Sequence, residues 1–332
     1  MNDVVDATRG WIDAAQSVQT DTVALRRAIH AEPELGLQTP KTMAKVREAL
    51  AGLPLEWKTG KSTTGAVAVL RSAKPGRTVL LRGDMDALPM PEDTDLPFKS
   101  TVSGTMHACG HDTHTAMLAS AARLLCAKRD SLAGTVLFMF QPGEEGWFGA
   151  KLMMEDGLLD NPKPDAAFAI HIMPNAPAGV LGSKAGPLLA SSDKLSIRIL
   201  GQGGHASMPH HAVDPVPVAC EIVNAIQVFI TRRIDIFDPA VVTIAKIESG
   251  STNNVIPEYA DLLGTIRTLS EESREAVHTG IARVAEHIAR AHECEAQVKV
   301  DLGFPVTICD ARAVDFAQQT VEGLFGKESW MT

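Results

Sequence analysis

The chain has 332 residues, enough for about two domains, and its 45% hydrophobic and 21% charged content is ordinary globular composition, which excludes a disordered or fibrous chain. With 31 Lys and Arg against 40 Asp and Glu, the net charge is −9, which argues against a nucleic-acid groove, because phosphate binding needs clustered cations. No apolar run reaches the ~18 residues of a membrane helix, and the opening Met1–Asp6 segment is acidic where a signal peptide would be basic, so the sequence reads as soluble and cytoplasmic.

Thr20 or Asp21 is a candidate cap for a first helix ending near His30, after which Pro33 and Gly36 break the chain. Thr39-Pro40, a cap followed by proline at the first helical position, predicts a helix to about Leu50. Four short apolar runs follow: 65–70, 78–81, 135–140 and 166–170. Each is nearly continuous, as in strands buried on both faces of a sheet covered by helices. Thr113–Lys128 reads as a helix between the second and third runs, which is the alternation of an α/β fold. Beyond residue 190 the pattern changes. Lys194–Leu200 alternates polar and apolar, and helices are expected at Pro215–Arg233 and Glu271–His292. Strands are expected at Val241–Ile247, Tyr259–Leu269 and Ala296–Val300. This set predicts a separate α+β sandwich over 190–301. The remainder, with a helix at Ala311–Phe325, is expected to return to the first domain (1–189 and 302–332).

Three of these four apolar runs lead into metal-ligand chemistry. Residues 78–81 lead into Arg82-Gly83-Asp84-Met85-Asp86, and 135–140 into Gln141-Pro142-Gly143-Glu144-Glu145. His171 follows 166–170, and His107-Ala108-Cys109-Gly110-His111-Asp112 precedes a helix. Ligands of open α/β sheets bind beyond the carboxyl ends of the strands. Taken singly, each group has an ordinary explanation as a turn, a cap or a solvated charge. Four separate segments placing carboxylate, imidazole and thiol at equivalent strand ends predict a dinuclear metal site. Cys109, just ahead of a helix N-terminus, sits where a thiolate is favoured. The other cysteines, Cys126, Cys220, Cys294 and Cys309, are scattered through apolar-periodic segments. They are expected to be buried small hydrophobes, not a disulfide framework.

The motifs Arg82–Pro89, His107–Asp112 and Gln141–Gly146 resemble those of metal-dependent amidohydrolases of the aminoacylase/carboxypeptidase superfamily. The branch of hippurate hydrolases, N-acyl-amino-acid deacetylases and auxin-conjugate hydrolases is the nearest. Residues 203–210, 253–257, 264–267 and the opening His30–Gly36 belong to the same pattern. The resemblance implies an α/β catalytic domain with a mixed central sheet flanked by helices, and an inserted smaller α+β lid and dimerisation domain. It implies two divalent metals (Zn, Mn, Co or Ni) on Cys109, His111, Glu145 and His171. Glu144 is then the general base and Asp86 orients a ligand. His205 stabilises the oxyanion, Arg267 holds the substrate carboxylate, and Asn253 or Asn254 assists. The implied reaction is hydrolysis of small N-acyl amino acids of N-acetyl or N-benzoyl type by a homodimer joined through 190–301, with no nucleic acid or membrane partner. His107, His114, His210 and His211 are expected only as neighbours of the ligands or as surface residues.

The family also carries a histidine ligand near its C-terminus. The last histidine here is His292, so the chain reads as C-terminally truncated, with one metal under-coordinated and activity impaired. On that reading the alternative is a protein that only dimerises or binds. A second rival is the dinucleotide pattern G-x-G-x-x-A at Gly201–Ala206, which needs a helix to start within it; Pro209, Pro215 and Pro217 oppose that.

Overall fold

The computed structural model describes residues 10–332, so the acidic Met1–Asp6 segment lies outside the described residues. The chain divides into two compact units. One runs to Leu181 and takes in Gln318–Met331, and the other spans Gly182–Ala317.

The first unit opens with α1 (Trp11–His30) and α2 (Pro40–Ala49), followed by strands β1 (Glu56–Thr59), β2 (Ala66–Arg71) and β3 (Lys74–Asp84). Then come α3 (His111–Ala127), β4 (Ala133–Gln141), α4 (Gly149–Glu155) and β5 (Ala166–Ala169). The strands form a five-stranded sheet in the order β1-β2-β4-β3-β5. β1, β2 and β4 pair antiparallel, whereas β3 runs parallel to both β4 and β5, so the sheet is mixed.

The continuous apolar runs have a direct cause. Ala66, Ala68 and Leu70 of β2 pack with Phe138 and Phe140 of β4 against α2 and α3. The alternate residues Val67, Val69, Leu137 and Met139 pack on the other face against Met153 of α4. Period-two alternation is lost because both faces are covered. β5 departs from this expectation. It lies at the sheet edge, its residues alternate half-buried and exposed, and Ile170 is exposed.

In α1 the expected start is too late, because the helix begins at Trp11. Thr22 Oγ1 donates to Val18 O at 2.8 Å, so a cap-type residue instead bonds back to the preceding turn and sits inside the helix.

The second unit carries β6 (Ser192–Leu200), β7 (Gly204–His205), α5 (Pro215–Arg233), β8 (Ala240–Ser249) and β9 (Val255–Ile256). After them come β10 (Tyr259–Thr268), α6 (Glu271–Ala291) and β11 (Glu295–Phe304). Its main sheet is antiparallel in the order β8-β10-β6-β11. Leu195, Ile197 and Ile199 of β6 form a core with Ile222 and Ile226 of α5 and Val277 and Ile281 of α6. Lys194, Ser196 and Arg198 point to the opposite face, which explains the alternation in sequence. α7 (Ala311–Phe325) follows β11. Cys126 and Cys294 are buried, but Cys220 is exposed and Cys309 half-buried, contrary to expectation. Cys220 lies on α5 opposite its buried stripe of Val218, Ala219 and Ile222.

Candidate metal centre

Register builds the site. Asp84 at the end of β3 pairs with Gln141 at the end of β4, and Arg82 pairs with Ala169 at the end of β5. Three strand ends therefore open at one edge of the sheet. The pairing continues past the strands, where Met85 N donates to Gln141 O at 2.8 Å. The Asp86 carboxylate, fully buried, accepts the backbone N–H groups of Glu144 and Glu145, each at 2.9 Å. One aspartate thus fixes the backbone of both adjacent glutamates. The fourth segment comes from α3, whose N-cap is Gly110 at φ +88°. A Cβ there would lie 2.2 Å from Ile172 Cδ1, so glycine, which also takes this positive φ without strain, lets the loop of Cys109 and His111 meet the segment of His171 with no shift of the Ile172 side chain.

Cys109 Sγ lies 3.3 Å from His171 Nε2. His111 Nε2 lies 3.5 Å from Asp84 Oδ2, 3.7 Å from Glu144 Oε2 and 3.9 Å from Glu145 Oε1. Three overlapping groups share His111: Cys109-His111-His171, Asp84-His111-His114 and His111-Glu144-Glu145. Within each, the donor atoms lie inside 4.8 Å of one another.

The tautomers follow from the partners. His111 Nδ1 is 2.7 Å from the Asp86 carbonyl oxygen, which can only accept. Nδ1 therefore keeps its proton, and Nε2 is the nitrogen whose lone pair a metal can take in place of a proton. That nitrogen is buried with no hydrogen-bond partner, as a waiting ligand atom would be. His171 Nδ1 likewise donates to Ile172 O at 2.7 Å, which leaves Nε2 facing Cys109.

Electrostatics agree with this donor set. Burial disfavours a charged His111, but hydrogen bonding toward Asp86 and Cys109 and the charge of Asp84 prevail, and its pKa is pushed up to about 11. Surroundings that favour positive charge on this ring also favour a metal ion on Nε2 in place of the proton. Burial, and then the neighbouring Glu145 charge, push the Glu144 carboxyl up. Thiol, imidazole and carboxylate donors around an orphaned buried nitrogen fit a transition-metal ion.

The His30–Gly36 segment backs these loops. Ala87 N donates to Glu34 O at 2.8 Å, and His30 Nδ1 bonds Asp112 Oδ2 at 2.8 Å. The Glu34 carboxylate accepts from Thr42 N at 2.8 Å and Lys41 N at 3.1 Å, in the first turn of α2.

The remaining expected residues belong to the second unit. His205 in β7 pairs with Val255 in β9, and Ala206 N donates to Asn254 O at 3.1 Å, so the histidine and the Asn253-Asn254 turn are neighbours. His205 Nδ1 accepts from Ser207 N at 3.2 Å, which places the ring proton on Nε2 as a free donor. Arg267 is not part of this pair. It lies on β10, where its Nη1 donates to Thr265 Oγ1 and, at 3.0 Å, to Ile266 O. The dinucleotide reading fails, because Gly204–His205 is a strand and the next α-helix starts only at Pro215. His210 and His211 are exposed. Asp84, expected only as part of the strand-end motif, and His114, expected as a neighbour of the ligands or a surface residue, are both buried beside His111. Their signal was present in the strand-end position of Asp84 and the i, i+3 spacing of His111 and His114 on one helix face. His107 is buried too, and burial pushes its pKa down to about 4.

The chain is similar to the N-acetylcysteine deacetylase of Bacillus subtilis, with 41% identity over 287 residues, covering 86% of this chain and 75% of that protein. It is 37% identical over 312 residues to the hippurate hydrolase of Campylobacter jejuni, covering 94% of this chain and 81% of that one. Among solved structures it resembles the YXEP protein of Bacillus subtilis, described as a dinuclear metal binding peptidase from the M20 family. The TM-score is 0.80 and the identity 36%, over 93% of this chain and 81% of that one. The model of peptidase family M20/M25/M40 matches residues 80–332, which run from the strand bearing Asp84 through the ligand cluster and the second unit; the chain belongs to that family.

Proposed function

We propose that the chain is a metal-dependent amidohydrolase that cleaves N-acyl amino acids, of N-acetyl or N-benzoyl type, into a carboxylic acid and a free amino acid. The observation that carries this reading is the unpartnered, buried His111 Nε2 set among Glu144, Glu145 and Asp84, beside the Cys109–His171 pair. Cys109, His111, Glu145 and His171 are assigned as ligands of two divalent ions, drawn from Zn, Mn, Co and Ni. Bound metal of this kind supplies Lewis acidity toward water and the amide carbonyl.

Glu144 is the residue left to move the proton. Its backbone is fixed beside Glu145 by Asp86, while its side chain is about a third exposed and its carboxyl is held above the usual range. It takes a proton from the attacking water and gives it to the leaving amine. His205 offers a neutral Nε2–H for the developing oxyanion. Arg267 is assigned to the substrate carboxylate, assisted by Asn253 or Asn254.

Joining through 190–301 as a homodimer is supported by the exposed edge strand β8, which presents Val241 and Ile247 to solvent. No helix among the described residues is long and apolar enough to cross a membrane. Five free cysteines with no disulfide suit a reducing compartment, so we place the enzyme in the cytoplasm.

The test is a panel of N-acyl amino acids, including benzoyl-glycine, assayed for amine release with each metal added to chelator-treated protein. Metal-dependent release from at least one acyl class is expected. Folded, metal-loaded protein that releases nothing from any member would overturn the reading.

A further inference from the structure

Three histidines crowd the same edge of the first unit, but only two have a nitrogen to spare. His114 Nε2 lies 3.0 Å from the backbone nitrogen of Ile172, and an amide N–H can only donate. Nε2 therefore accepts, and the ring proton sits on Nδ1, which donates to Asp84 Oδ1 at 2.7 Å. Both nitrogens are spent. His114 has no lone pair for a metal, although its ring centroid is only 4.7 Å from that of His171.

What His114 holds is the residue next to His171. Ile172 gives its N–H to His114 and takes the His171 Nδ1 proton on its carbonyl at 2.7 Å. The local backbone has little else to hold it. β5 has ended at Ala169, and Ile170, His171 and Met173 are all exposed.

The other end of the relay is rigid. Asp84 is fully buried, and its Oδ2 is paired with Arg82 Nη1 at 2.6 Å. Thr115 Oγ1, on the same helix as His114, donates to Asp84 O at 2.5 Å. A Cβ at Gly83 would come within 2.9 Å of His114 O, so glycine there allows α3 to lie close enough to β3 for the bond to form.

We propose that His114 is a positioning residue, not a ligand: through the relay Asp84–His114–Ile172 it sets the His171 imidazole, with Nε2 outward, as a metal ligand facing Cys109. This rests on the reading of His171 as a ligand.

The test is cobalt(II) titration of the metal-free full chain, followed by the thiolate-to-cobalt absorption contributed by Cys109. His114→Asn keeps a donor at the Nδ1 position, so Asp84 stays paired and the fold is retained, but it cannot reach Ile172. His114→Gln places an acceptor where Nε2 was. His114→Asn should weaken cobalt binding about 10–100-fold, the range for residues that orient ligands, and alter the absorption. His114→Gln should recover most of that affinity and the spectrum. His114→Asn binding as tightly as the wild type would overturn the proposal, and so would Asn and Gln variants equally weakened. His171→Ala separates the two levels. If it leaves cobalt binding unchanged, the assignment of His171 as a ligand fails; if it weakens binding while His114→Asn does not, only the relay fails.

Discussion

Asp86→Asn strikes the one side chain that holds both glutamates. In the wild type a buried carboxylate accepts two amide N–H groups at 2.9 Å each. An amide has one oxygen and one NH₂, so the variant can accept from Glu144 or from Glu145 but not from both. The other N–H then faces a donor. A hydrogen bond to a charged group contributes about 1.5–3 kcal/mol, and the bond that survives falls to the neutral range of about 0.5–1.5 kcal/mol. Allowing for some relaxation around the orphaned N–H, the loss is about 2–4 kcal/mol. For a unit of this size that corresponds to a fall in Tm of about 5–15 °C. Calorimetry on the metal-free protein reads this directly, with no contribution from metal binding. Metal titration then gives a second readout, expected to weaken about 10–100-fold as Glu145 loses its fixed backbone. An unchanged Tm together with unchanged metal affinity would refute the assignment of Asp86 as the anchor of the glutamate pair.

Glu144→Gln should lower kcat by about 100- to 10,000-fold while metal content stays the same; loss of metal along with activity would mean that Glu144 and Glu145 have exchanged roles. Arg267→Ala should raise KM for N-acyl amino acids far more than for the corresponding amides, and an equal effect on both would remove Arg267 from the carboxylate site. In the second unit Arg274 pairs twice with buried Asp193, at 2.6 and 2.8 Å, and its loss should cost about 3–5 kcal/mol in urea unfolding. Burial opposes an ionised Asp193, but Arg274 outweighs it and its pKa lies below the ordinary 3.8. The stabilisation is thus complete above that value and lost as pH falls through the lower folded one, so Arg274→Ala should move acid unfolding to higher pH; an unmoved midpoint would refute this. Thiol titration of the native chain should modify exposed Cys220 at once. Cys126, with a pKa pushed up to about 11 by burial, should react only after unfolding, and rapid labelling of Cys126 would contradict its buried placement.

The elements that the sequence marks well are those whose ends carry their own chemistry. α5 starts at Pro215 behind Asp214, whose Oδ1 accepts from Val216 N at 3.0 Å, and both cap and proline are visible in the sequence. α1 misleads because Thr20 and Asp21 have cap-like chemistry but lie in mid-helix. β1 and α4 are absent from the expectation for a different reason. β1 is four residues, exposed at both ends and half-buried between, that become a strand by pairing with β2. α4 is seven residues long, too short for periodicity to show, and is held by burial of Met153 under the sheet. Such elements are chosen by tertiary contact, and their own residues do not announce them.

The site divides along the same line. Residue types are legible because a metal needs thiol, imidazole and carboxylate, and few other reasons gather them at adjacent strand ends. Which histidine keeps a lone pair is not legible, because the deciding partners are backbone groups. His111 is set by the carbonyl of Asp86 and His171 by that of Ile172, while His114 is consumed by the N–H of Ile172. Every non-proline residue offers the same carbonyl and N–H, so no side-chain motif records the choice. His111 and His114 share one face of α3, three residues apart. Asp84, carried to the end of β3 by its register with β4, accepts the Nδ1 hydrogen bond of His114 at 2.7 Å, and the Ile172 N–H occupies the other nitrogen of that ring alone. On the proposed reading one of the two is a ligand and the other a support, and the difference depends on these tertiary partners and not on the motif in which both histidines stand.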